Sequence, residues 1–237
     1  MDFISGEILA FDKPYKWTSF DVVGKVRWLL CRKLGVKKLK VGHTGTLDPL
    51  ATGVVVVCTG KKTKLIDQLQ QHIKEYVAVL QLGSTTPSYD LEKEIDCTYP
   101  TEHITRALIE EVIPTFLGEQ WQIPPIFSAV KIDGKRAYKL ARKGEEVDLQ
   151  AKLLTIDSID VLEFNEALMQ LKIRVVCSKG TYIRALARDI GKALNSGAHL
   201  IELRRTRVGD IRVEDCLTIQ DFEKMLEKID DTIDNNL

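Results

Sequence analysis

The segment running from residue 41 to residue 53, Val-Gly-His-Thr-Gly-Thr-Leu-Asp-Pro-Leu-Ala-Thr-Gly, holds three glycines, three threonines and a proline. No regular helix or strand tolerates that composition, so the chain must form a loop here. The apolar run Val54–Val57 follows at once and reads as a buried central strand. A loop fixed at the edge of a sheet holds polar groups rigidly, which is where α/β proteins place their chemistry. The one acid in this loop is Asp48. An isolated Asp-Pro most often makes a turn whose side chain caps its own backbone, so the loop alone does not make Asp48 reactive.

The charge pattern adds to this. The net charge is zero, but it is segregated. Between Val22 and Ile66 the cations are Lys25, Arg27, Arg32, Lys33, Lys37, Lys38, Lys40, Lys61, Lys62 and Lys64, and the one acid is Asp48. Lys131, Lys135, Arg136, Lys139, Arg142 and Lys143 form a second basic stretch and Arg204, Arg205 and Arg207 a third, while the segment after Val213 is acidic. Such segregation suits a polyanion-binding face. Solvated helix faces explain the same charges equally well. A solitary carboxylate among cations is favoured in its ionised form, ready to act as nucleophile or base.

Along the chain, Gly6–Asp12, Glu75–Gly83, Met169–Cys177 and Leu200–Val208 read as strands. Helices are expected from an N-cap at Ser19 to a stop at Gly35, at Gly60–Lys64, at Thr101–Ile113 and at Thr181–Leu194. A last, acidic helix runs from the Thr218/Asp221 capping box to about Ile229. Glu119–Leu149 has little apolar period and reads as a long functional loop or a disordered stretch. No run approaches the roughly 20 apolar residues that span a membrane, and the acidic N-terminus does not read as a secretory signal. Five scattered cysteines and four scattered histidines point to reduced thiols in a cytoplasm, with no disulfide framework and no metal site. Gly60-Lys61-Lys62-Thr63 fails as a phosphate-binding loop, because the upstream glycine is misplaced and Lys62 precedes Thr63.

Gly42–Gly53, followed by an apolar strand and Gly-Lys-x-Thr-Lys, resembles the signature of the TruB family of tRNA pseudouridine synthases. Further blocks similar to that family follow in order: Asp12-Lys13-Pro14 with Trp17-Thr18-Ser19, Lys74-Glu75-Tyr76, Pro124-Pro125 with Ser128–Lys131, Gly134–Tyr138, Gly180–Arg184, and Gly197–His199 leading to Leu203–Thr206. The resemblance covers roughly Gly6 to Gly209.

It implies an α+β pseudouridine-synthase fold: a mixed, mostly antiparallel sheet flanked by helices, with a thumb-like RNA-binding insertion at 119–149. The catalytic domain then spans 1–212 and a short acidic helix and tail 213–237. The implied activity is isomerisation of uridine to pseudouridine at position 55 in the T-loop of tRNA, by base flipping, without metal or organic cofactor. The implied partner is the tRNA T-arm, met by a cytoplasmic monomer. Asp48, Tyr76 and Arg184 match the catalytic residues: the attacking aspartate, the tyrosine that stacks on the flipped uracil, and the arginine paired with the carboxylate. His43, Tyr182, Leu203, Lys13, Lys131 and Arg136 match substrate-binding positions. Nucleophilic attack at the sugar and a glycal route through 2′-deprotonation both fit these residues. A non-catalytic tRNA-binding or folding protein, or a synthase acting on another RNA, is the alternative.

Three departures stand out. Tyr15-Lys16 replaces the family's usual glycine between Pro14 and Trp17. Pro87 interrupts the block before Asp90. The segment after Gly209 is too short for the PUA-type RNA-binding module that many relatives carry.

Overall fold

The computed structural model describes residues 1–128, 131–132, 135–136 and 149–234; for 131–132, 135–136 and 229–234 only the backbone path is described. In chain order the elements are β1 (Ile8–Lys13), α1 (Ser19–Lys33), β2 (Val41–His43), β3 (Thr52–Thr59), a 3-10 turn (Gly60–Leu65), α2 (Ile66–Leu69), β4 (Lys74–Leu82), β5 (Ser84–Thr85) and β6 (Cys97–Thr98). There follow α3 (Arg106–Val112), β7 (Gly118–Gln122), β8 (Lys131–Ile132), β9 (Lys135–Arg136), β10 (Lys152–Asn165), β11 (Gln170–Cys177), α4 (Ile183–Ala193), β12 (Ala198–Val208), β13 (Ile211–Arg212) and α5 (Ile219–Asp234). They form two compact units, Met1–Lys74 with Arg204–Leu237, and Glu75–Leu203.

In the first unit the valine run is the core of β3, buried along almost its whole length. β1 pairs with it antiparallel from Ile8↔Cys58 to Lys13↔Gly53, and β2 pairs antiparallel with its far end at Val57–Thr59. The second half of β12 joins it in parallel, Arg204 opposite Thr52 and Arg205 opposite Gly53. Helix α1 turns Val22, Val23, Val26 and Leu30 inward, the spacing of one helical face. Its cap is Thr18, in a complete capping box with Asp21, one residue before the Ser19 cap that the sequence suggests. The Ser19 hydroxyl is buried and serves the loop before β3 instead.

The acidic C-terminal helix α5 starts at the expected capping box but continues to Asp234. It is anchored by Phe222, fully buried and edge-on to Phe3 and Phe11 at centroid distances of 6.3 and 5.3 Å. Just before it, Leu217 exchanges backbone hydrogen bonds with Ala10 and Asp12, so the segment joins β1 as well as packing on it.

In the second unit the strand order is β12-β4-β11-β10-β7, with β11, β10 and β7 antiparallel in turn. The fold class expected from the sequence is therefore found: a mixed, mostly antiparallel sheet with helices. The longest strand, β10, is hidden in the sequence because register shifts at Ile156/Ser158 and Val161/Glu163 break its alternation. β7 also lies in a stretch whose pattern is irregular. Helix α4 buries Ile183, Ala185, Leu186, Ala187 and Ile190. Of the thumb-like insertion expected at 119–149, residues 129–148 lie outside the described residues except for the antiparallel pair β8–β9.

Candidate active site

The loop carrying Asp48 is tied down at nearly every residue by groups of its own unit. At its entry the Thr44 amide donates to the Val56 carbonyl (3.0 Å). Arg205 is 3 % exposed, and its guanidinium donates to the carbonyls of Val54 (2.7 Å), Thr46 (3.3 Å) and Gly45 (3.2 Å). The Ser19 hydroxyl accepts from the Leu47 amide (2.8 Å) and donates to the Leu47 carbonyl (3.3 Å). At the exit the Pro49 carbonyl accepts from the Lys16 amide (2.9 Å) and from the Lys13 ammonium (3.4 Å). Between these anchors the Asp48 carbonyl accepts from the Ala51 amide (3.1 Å). The backbone at Asp48-Pro49 is therefore a turn, as an Asp-Pro pair ordinarily makes, and the half-buried Asp48 side chain is carried on it.

Gly53 explains why the loop ends where it does. Its φ is +107°, and a Cβ there would lie 2.1 Å from the Arg205 carbonyl oxygen. Only glycine lets β3 meet β12 at the residue whose side chain braces the loop.

Lys13 is 0 % exposed. Besides Pro49, its ammonium donates to the carbonyls of Pro14 (3.0 Å) and Trp17 (2.5 Å). Burial pushes its pKa down to about 8; the charge of Asp48 opposes that and the charge of Arg205 adds to it. So placed, Lys13 braces the loop that carries Asp48 and turns its charge inward. His43 lies at the end of β2, half-buried, with Nδ1 lacking a hydrogen-bond partner among the described residues. Burial first, and then Arg205, hold its pKa below the ordinary imidazole value, against a hydrogen bond with the Gly45 backbone.

The second unit holds Tyr76, Tyr182, Arg184 and Leu203. Tyr76 is buried on β4, and Leu203 is buried on β12. Arg184, in the first turn of α4, is 4 % exposed. Its guanidinium lies 3.5 Å from the Asp90 carboxylate and donates to the carbonyls of Ser88 (3.2 Å) and Phe127 (3.1 Å). Asp90 is itself buried and accepts from the Glu92 amide (2.9 Å), while the Thr86 and Ser88 hydroxyls donate to its backbone carbonyl. The preceding Tyr89 adopts φ +62°, in the left-handed region. A bulky residue stays there only when its surroundings fix it. The Tyr89 amide donates to Thr86, its carbonyl accepts from Leu200, and the Arg188 guanidinium lies 5.0 Å over its ring. Tyr182 caps α4, and its amide and carbonyl both bond the buried Gln122 side chain (2.9 and 3.2 Å).

Two of these residues, Arg205 and Gln122, are not singled out in the sequence, and Asp90 is noted there with its role left open. Arg205 stands in the run Arg204-Arg205-Thr206-Arg207, which looks like a solvated basic patch. Strand alternation with the buried Leu203 is the available signal that it points inward. Asp90 is obscured by the departure at Pro87, and Gln122 lies in the segment of irregular pattern. The side chains of Lys131 and Arg136 lie outside the described residues. Among the described residues no group of three or more His, Cys, Asp or Glu is placed to hold a metal ion, and no helix is long and apolar enough to cross a membrane.

Comparison with known proteins gives this geometry a family. Residues 32–183 match the family model described as TruB family pseudouridylate synthase (N terminal domain), and residues 184–237 match the tRNA pseudouridylate synthase B C-terminal domain. The chain is 68 % identical to tRNA pseudouridine synthase B of Phocaeicola vulgatus over 96 % of both chains, and 64 % identical to that of Bacteroides thetaiotaomicron over 100 % of both. Among solved structures, a Cbf5-Nop10-Gar1 complex contains a chain with TM-score 0.69 and 32 % identity, covering 94 % of this chain. An H/ACA RNP bound to a substrate RNA containing 2′-deoxyuridine contains one with TM-score 0.66 and 29 % identity. The present chain spans about half the length of those two, 54 and 53 %. The chain belongs to the TruB family of pseudouridylate synthases.

Proposed function

We propose that the protein isomerises uridine to pseudouridine in tRNA, at position 55 of the T-loop, with Asp48 as the catalytic carboxylate. The observation that carries this reading is the loop itself. Arg205, Ser19, Lys13 and Lys16 fix the backbone on both sides of Asp48, so the carboxylate starts the reaction already oriented.

In the reaction the carboxylate acts on the ribose so that the bond from C1′ to N1 breaks. The released uracil turns and re-bonds to C1′ through C5; N1 gains a proton and C5 loses one. Nothing is oxidised or reduced. Tyr76 stacks on the extruded base, offsetting part of the unstacking cost of a few kcal/mol. Arg184 takes the role of the arginine that it matches in the family, and Asp90 positions it through the 3.5 Å contact. Tyr182 and Leu203 contact the substrate. Neutral His43 meets the RNA as a hydrogen-bonding group rather than as a charge.

The test is nucleotide-resolved pseudouridine mapping on an unmodified tRNA transcript incubated with the protein. The expected result is one new pseudouridine, in the T-loop. Tight binding without any pseudouridine would favour the binding-protein reading, and modification only of ribosomal RNA would favour another substrate.

A further inference from the structure

We propose that the outward face of α1 and the loop after it form a second RNA-contact surface, which grips the substrate RNA backbone outside the loop carrying the target uridine. The proposal rests on the tRNA reading above.

Opposite its buried stripe, α1 presents Lys25, Trp28 and Arg32 at helical spacing. Trp28 is 52 % exposed, an uncommon place for so large an apolar ring. The Lys25 ammonium lies 5.0 Å and the Arg32 guanidinium 5.5 Å from its ring centre. Towards the N-terminus of the helix, Phe20 is exposed too, with the Arg27 guanidinium 5.9 Å from its ring. Past the helix, Lys37 and Lys38 are exposed.

Two acids that meet α1 are committed. Asp21 closes the helix cap with Thr18, and Glu223 of α5 takes Lys25 at 2.6 Å. Arg32, Lys37 and Lys38 have no carboxylate partner among the described residues. A protein-binding face is depleted in lysine, whereas Lys37 and Lys38 stand exposed at this one. This one offers unneutralised cations interleaved with exposed rings, which is the chemistry that holds RNA through its phosphates and by stacking.

Position supports the same occupant. Ser19, the first residue of α1, bonds the Asp48 loop at Leu47. Arg32 lies about 20 Å further along the helix axis at the usual rise per residue. An RNA that reaches both points extends well past a flipped nucleotide and its neighbours, into the stem that carries the loop. Its backbone is read there without regard to sequence.

The experiment uses the full chain, an unmodified tRNA transcript, and two variants at exposed positions: the charge reversal Arg32→Glu/Lys37→Glu/Lys38→Glu, and Trp28→Ala. Dissociation constants are measured across a range of salt concentrations, together with kcat and KM. The triple variant is expected to bind about tenfold or more weakly, its logarithmic salt slope shallower by about one for each phosphate that it no longer neutralises. The defect appears in KM rather than kcat. Trp28→Ala is expected to weaken binding severalfold with the salt dependence kept. Wild-type affinity and salt slope in the triple variant would overturn the surface, including the case in which a protein docks there. A wild-type enzyme that makes no pseudouridine in tRNA would instead overturn the functional reading, so the two failures are distinguishable.

Discussion

Arg205 illustrates how a single buried charge can organise a site. Its guanidinium serves three carbonyls, two of them in the loop just before Asp48. Replacing it by leucine leaves those acceptors dry and unpaired, at a cost of about 2–4 kcal/mol. Arg205→Leu is therefore expected to lower the denaturation midpoint and to reduce kcat more than RNA affinity, with Arg205→Lys restoring part of both. Equal loss in the two variants would contradict a role for the guanidinium's geometry. Lys13 makes a pH-dependent contribution. In the unfolded chain it keeps its proton to about 10.5, in the folded chain only to about 8. Between those values the unfolded state binds more protons, so this group makes stability rise with pH across that window, its burial penalty being felt in full below it. Urea unfolding of wild type and Lys13→Met at several pH values between 8 and 10.5 checks this: the stability of wild type relative to the variant should climb with pH. Asp48 and Arg184 stand out in the sequence as candidates because they match named roles within family-like blocks. Arg205 lies in such a block too, but its bracing of the loop does not show, because a basic dipeptide looks the same whether one member points inward or both point to solvent.

At the level of elements, local signals are readable wherever they are chemical. The Thr218/Asp221 box starts α5 as expected. At α1 the same logic is one residue out, because Thr18 and Ser19 are both good caps and only tertiary demand on the Ser19 hydroxyl decides between them. This separates two roles that can be tested. Thr18→Ala should cost about 1 kcal/mol of stability with little change in kcat, whereas Ser19→Ala should also lower kcat by loosening the loop at Leu47. Thermal unfolding with kinetics on both variants measures the difference, and matched kcat losses would contradict it. The turn before α1 carries a mark of the departure seen in the sequence. Lys16, near where the family usually has glycine, adopts φ +67°, and its amide holds the Pro49 carbonyl. Strand β10 is illegible for a physical reason: two register shifts move its apolar residues from one parity to the other, so no single alternation runs through it.

For the whole chain, the zero net charge hides an arrangement in which α5 carries many of the acids and α1 and its following loop many of the cations. The expected short acidic helix is more than a tail. Phe222 closes the core of the first unit against Phe3 and Phe11, so Phe222→Ala should destabilise the protein by about 3–5 kcal/mol, read as a lower denaturant midpoint. An unchanged midpoint would mean that α5 is dispensable to that core. On the proposed function, Asp48, held by its braced loop, carries out the isomerisation. The most direct measurement is single-turnover pseudouridine formation on unmodified tRNA by wild type and by Asp48→Asn, with RNA affinity measured on the same preparations. Wild type should convert the T-loop uridine, and Asp48→Asn should bind the RNA comparably while forming no detectable pseudouridine. Conversion by Asp48→Asn at a rate near that of wild type would rule out Asp48 as the catalytic carboxylate.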